Sequence, residues 1–84
     1  MPTTLVRRQL LTLESLRVLV NIEINVHTEC YGVQIRRIFV TKPDAFGCNW
    51  QAELPTVHAV TTEPCGSQLH ALIEQIRERY NVAQ

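Results

Sequence analysis

Polar and apolar positions alternate without a break over residues 20–27, VNIEINVH. Period two is the signature of a strand with one buried face, and five of residues 18–26 are β-branched. The same residues also continue a helical pattern. Leu13, Leu16, Val20 and Ile24 recur at helical spacing, and Thr12 offers a side-chain oxygen to cap the first turn. Local physics leaves the two readings nearly level, with the strand slightly ahead.

The later pattern is simpler. Residues 33–40, VQIRRIFV, and 48–54, CNWQAEL, read as two strands joined by the turn TKPDAFG. In that turn Pro43 presets φ, Asp44 can bond nearby backbone and Gly47 allows positive φ. Pairing Thr41 with Cys48 sets Phe39 opposite Trp50 and Ile35 opposite Leu54 on an inner face, with Arg36 opposite Glu53 outside. It also leaves Arg37 facing inward opposite Ala52, which calls for snorkelling, pairing or a partner chain. Pro55 ends the second strand. Cys65, Leu69, Leu72, Ile73, Ile76 and Tyr80 form one helical stripe, with Thr62 or Ser67 as candidate N-caps.

The stretches Leu13–Cys30 and Gly47-Cys48-Asn49-Trp50, with the ending Arg77, Arg79, Tyr80 and Val82, resemble a group of small uncharacterised bacterial proteins of unknown function. The resemblance spans about residues 12–82. It implies an α-β-β-α order and brings no activity, cofactor or catalytic residue. In that group the first segment looks helical, being rich in Ala, Arg and Glu; here Val and Ile stand at matching positions. Together with the Thr12 cap and the apolar stripe, this frame favours helix over residues 12–27.

The expected fold is therefore α+β in one domain spanning 1–84. A helix covers 12–27, an antiparallel hairpin 33–54 and an amphipathic helix 63–81. Both helices would cover the face bearing Ile35, Phe39, Trp50 and Leu54. Two strands are marginal as a free sheet, so a short edge strand is expected from residues 3–10, from 56–61, or from a second copy.

Length and charge narrow the function classes. A chain of 84 residues buries only about 60–65% of its unfolded surface, and dimerisation is a common remedy. Eight basic residues balance eight acidic ones, which argues against a protein built to grip phosphate backbones and leaves little repulsion between copies. Arg36 and Arg37 point to opposite faces of a strand, so Arg7, Arg8, Arg36, Arg37, Lys42, Arg77 and Arg79 do not make one patch. The N-terminal 20 residues resemble neither a leader nor a membrane span, because Glu14 and Arg17 interrupt the apolar run.

Three cysteines with no CxxC spacing do not suggest a secreted disulfide framework, so reduced thiols and a cytoplasmic location are expected. Cys30, Cys48, Cys65, His27, His58 and His70 could supply a zinc site, but only His27-x-x-Cys30 is closely spaced. Buried thiols are the default. Cys48 with His58 as nucleophile and base is the weaker alternative, since nothing orients the histidine. Gly47-Cys48-Asn49-Trp50 is the most individual feature. It reads chiefly as a turn, a backbone-bonding amide and a core anchor. Its functional alternative is a recognition corner presenting Asn49 and Trp50, with Arg37 as a further interaction residue. No Gly-rich phosphate loop or hydrolase motif is present. The expected function is a non-catalytic interaction or regulatory module that self-associates, without cofactor. A nucleic-acid-associated protein and a thiol or metal protein are the alternatives.

Overall fold

Thr12 does cap the first helix: its side-chain oxygen accepts from the Ser15 N–H at 3.1 Å. In the computed structural model, which describes residues 8–30, 32–54 and 63–84, the chain runs through six elements. They are β1 (Gln9–Leu11), α1 (Leu13–His27), β2 (Ile38–Val40), β3 (Trp50–Ala52), α2 (Glu63–Arg79) and β4 (Tyr80–Val82). The class is α+β.

Residues 20–27 are therefore helical, and their alternation arises from β-branched residues spread around a helix that is apolar on two sides. Leu16, Val20 and Ile24 face inward and are fully buried. At the C-terminus of α1 the Thr28 hydroxyl and N–H both bond the Ile24 carbonyl, at 2.6 and 3.2 Å. The α2 residues Leu69, Ile73 and Ile76 complete the core with Ile35, Ile38 and Trp50.

The hairpin exists, but its register is one residue away from the expected one. Ile38 pairs with Ala52, Phe39 with Gln51 and Val40 with Trp50. The cause lies in the turn. Asp44 Oδ1 accepts from the N–H groups of both Phe46 and Cys48, at 2.8 and 3.1 Å, which draws Cys48 into the loop. Thr41 then bonds Asn49 instead of Cys48, at 2.7 Å. Because the side-chain period is two, the slip exchanges the faces of β2 against β3. Ile38 enters the core and Phe39 (41% exposed) turns out; Ile35, before β2, stays buried as expected, and Leu54, beyond the end of β3, lies outside (52% exposed). Arg37 also moves outside, where its guanidinium stacks 5.2 Å from the centre of the Phe39 ring. Arg37 therefore needs no partner inside the core.

An extra strand is present, although it does not extend the hairpin. Residues 9–11, overlapping the expected 3–10 segment by two residues, pair in parallel with β4 in a separate two-stranded sheet. The second helix accordingly stops at Arg79 and not at residue 81, and Tyr80 belongs to a strand. Arg8 Nε bonds the Arg77 carbonyl at 3.1 Å, satisfying one of the helix's last free acceptors. Ser67 lies inside α2 and caps nothing, while Thr62 and the alternative edge strand 56–61 fall outside the described residues.

The thiols are a further departure. Cys30 and Cys65 form a disulfide with Cα atoms 5.1 Å apart, tying the exit of α1 to the first turns of α2. Cys48 is free and buried. Among the described residues no helix is long and apolar enough to cross a membrane. The disulfide closes a loop with a sequence separation of 35, holding the whole hairpin. Chain entropy predicts stabilisation of about 4 kcal/mol at most from such a loop, and about 2–4 kcal/mol is typical. Urea unfolding with and without a reductant should show that difference; equal midpoints would mean the bond does not form in solution.

Candidate functional site

The Gly47–Trp50 corner is where three elements meet. Gly47 turns the chain at φ +88°, a left-handed conformation that L side chains rarely adopt. Trp50 points inward and is 0% exposed; its indole N–H donates to the Tyr80 carbonyl at 2.9 Å. The Asn49 side chain clasps the backbone of Val82. Its Nδ2 donates to the Val82 carbonyl and its Oδ1 accepts from the Val82 N–H, both at 2.9 Å. Asn81 returns the arrangement: its Nδ2 donates to the Gly47 carbonyl at 2.9 Å and its Oδ1 accepts from the Asn49 N–H at 3.3 Å. The corner thus fastens the hairpin to β4. Asn49 and Trp50 are enclosed by this role and present no recognition surface, while Arg37 is exposed on the far face of the hairpin.

Arg77 braces the corner from α2. Its guanidinium donates to the Trp50 carbonyl at 3.1 Å, to Asp44 at 2.9 Å and to Glu74 at 3.2 Å. Burial alone would ease its proton off, but the neighbouring Cys48 sulfur and Glu74 outweigh that and hold its pKa above the usual value. The Asp44 carboxyl is held below its ordinary range. The backbone N–H of Phe46 is the main cause and that of Cys48 the second; Arg77 and Arg8 add to them.

The cysteine and histidine candidates do not converge. Cys30 is in the disulfide with Cys65, and Cys48 is enclosed behind Trp50 and Arg77. His27 sits in the last turn of α1, 3.1 Å from Glu23. His70 is on the exposed side of α2, and His58 lies outside the described residues. Among the described residues no three metal-capable side chains come together.

Two surface features remain. The first is the outer side of α1. Val18, Ile22 and Val26 follow the buried Leu16, Val20 and Ile24 by two residues each, about 200° further round at 3.6 residues per turn. They therefore form a second apolar stripe, 44%, 53% and 66% exposed. Shallow grooves flank it. One is bordered by the amides Asn21, Asn25 and Gln34, the other by Glu14, Ser15 and Leu19. Helical periodicity marks this second stripe, but interleaved with the first it gives the same alternation as a strand.

The second is a cleft of about 450 Å³ between α1 and α2. Leu19, Leu72 and Ile76 contribute apolar surface, with Glu23, His27, Gln75, Arg79 and Tyr80 around it. No sequence motif marked it, because its lining is shared between helices about 50 residues apart.

Comparison with known protein families, curated proteins and solved structures finds no match.

Replacing Asn49 by Ala strands the N–H and C=O of Val82 in a buried place, each costing roughly 1–3 kcal/mol. The expected loss is about 2–4 kcal/mol in urea unfolding, and a loss under about 1 kcal/mol would show that the clasp is not structural. Asp44 generates a pH dependence. Its folded pKa is depressed, so its contribution is complete above the unfolded carboxyl value. It is lost as pH falls through the lower folded value. An acid titration of stability should be shallower in Asp44→Asn than in the parent.

Proposed function

We propose that this protein is a small non-catalytic interaction module that works as a homodimer joined through the outer side of α1. The observation that carries the reading is the exposed Val18–Ile22–Val26 stripe, on a helix whose opposite side already fills the core. An apolar stripe on both sides of one helix calls for cover on both.

A second copy suits this surface better than an unrelated partner. The stripe is symmetric in spacing about Ile22, so a two-fold axis there brings Val18 near the height of Val26 of the other copy, an isologous contact. The antiparallel arrangement also opposes the two helix dipoles. The bordering charges Glu14 and Arg17 pair with each other, and the other polar residues beside the stripe are the neutral Ser15, Asn21, Asn25 and Gln34. No unpaired like charges are brought together there, and the formal net charge is zero.

Regulation or recognition of a further protein would use what such a dimer leaves exposed, including the Arg37–Phe39 face of the hairpin. A bacterial source belongs to the proposal and rests on the resemblance in Leu13–Cys30 and Gly47–Trp50. A cytoplasmic location does not belong to it, because the Cys30–Cys65 bond favours an oxidising compartment.

Native mass spectrometry at tens of micromolar should give twice the chain mass. Ile22→Glu should return the monomer with an unchanged circular dichroism spectrum, since Ile22 is half exposed in the single chain. A monomeric parent would overturn the proposal.

A further inference from the structure

We infer that the cleft between α1 and α2 binds a small organic anion with an apolar body, such as a short-chain carboxylate. This is independent of dimerisation through the other side of α1.

The cleft has the dimensions of a ligand site and a lining that mixes polar with apolar groups. Its volume of about 450 Å³ falls inside the range of small-molecule pockets, roughly 300–1,000 Å³. The two helices run antiparallel beside it: the Glu29 N–H donates to Gln68 at 2.8 Å, and Cys30 is bonded to Cys65. His27, Thr28 and Gln68 therefore lie at one end, and Leu19, Ile76, Arg79 and Tyr80 at the other. Leu19 and Leu72 are only half-buried although both flank the helix pair. An apolar ligand body would cover what these side chains still expose.

The charges select the sign of the ligand. The guanidinium of Arg79 has no hydrogen-bond or ion-pair partner among the described residues, in contrast to Arg17 and Arg77. It sits at the apolar end of the cleft with Gln75 and Tyr80 close by, all three able to donate. The cleft's acid, Glu23, turns its carboxylate to within 3.1 Å of His27 Nε2, one turn along α1 toward the end of the cleft away from Arg79. The unpaired donors are therefore concentrated beside the apolar surface, and a carboxylate held there by Arg79 would set its hydrocarbon on Leu19, Leu72 and Ile76.

Octanoate is a suitable probe, with octan-1-ol as its uncharged counterpart. In an NMR titration, octanoate should shift the amides of Leu19, Leu72, Ile76 and Tyr80 in a saturable way. Arg79→Gln should weaken octanoate about two- to fivefold, the modest loss expected for an exposed ion pair, and leave octan-1-ol unaffected. Arg79 is exposed and its side chain makes no bond among the described residues, so this variant retains the fold. Three outcomes would overturn the inference: shifts confined to Val18, Ile22 and Val26, octanol binding as tightly as octanoate, or Arg79→Gln leaving octanoate binding unchanged.

Discussion

The bond pattern between Asn49 and Val82, returned by Asn81 onto Gly47 and Asn49, is the constraint on which the rest of the structure depends. Every strand here has three residues, and the strands make two separate two-stranded ribbons. Neither ribbon would be stable alone in water. A continuous sheet would join them through backbone pairs. This chain uses asparagine amides, which carry the same donor and acceptor as a peptide group. The Trp50 indole bonded to the Tyr80 carbonyl adds the largest core side chain to the same junction. A third amide does the same work elsewhere: Asn21 accepts from the Ile35 N–H at 2.7 Å and donates to the Ile35 carbonyl at 3.0 Å, fixing an extended segment to α1.

The second helix is thereby fastened at both ends by different chemistry. Its first turns are held covalently through Cys65, and its last turn runs directly into the clasped strand β4. Between these anchors Leu69, Ile73 and Ile76 need only pack, against a helix whose own inward side is Leu16, Val20 and Ile24. A domain this small has little apolar surface to bury, and cross-links at both ends of the element that closes the core offset that shortage.

The two helices were legible because a cap and an apolar stripe are local signals. Thr12 marked the start of α1, and the stripe from Cys65 onward marked α2. The end of α2 was not legible, because Tyr80 continues the helical stripe while its backbone pairs with β1, a partner about 70 residues away. The hairpin was legible but its register was not. An aromatic pair inside and a charge pair outside both favoured Phe39 opposite Trp50, yet Asp44 fixes the turn by bonding two N–H groups, and that decides the register. The disulfide was hidden by an odd cysteine count and a separation of 35 residues. For the Gly47–Trp50 corner, the residue types disclosed a turn, an amide bonding to backbone and a core anchor. The segment receiving the amide's bonds is not legible, because Tyr80 continues the helical stripe of α2 up to the start of β4.

These internal roles determine where function can lie. Three of the candidate residues are committed to the fold, Asn49 and Trp50 to β4 and Cys30 to Cys65, and Asp44 and Arg77 are likewise committed to the turn. Cys48 lies behind them, without the partly exposed setting a reactive thiol needs. What the fold leaves over is of another kind. It consists of apolar side chains on a helix already covered on its other side, and an arginine beside the cleft between the helices, without a side-chain partner among the described residues. Such residues gain by being covered or paired, and neither need involves bond-making chemistry. Covering and pairing are the gains open to these residues, and the proposed interaction role rests on them.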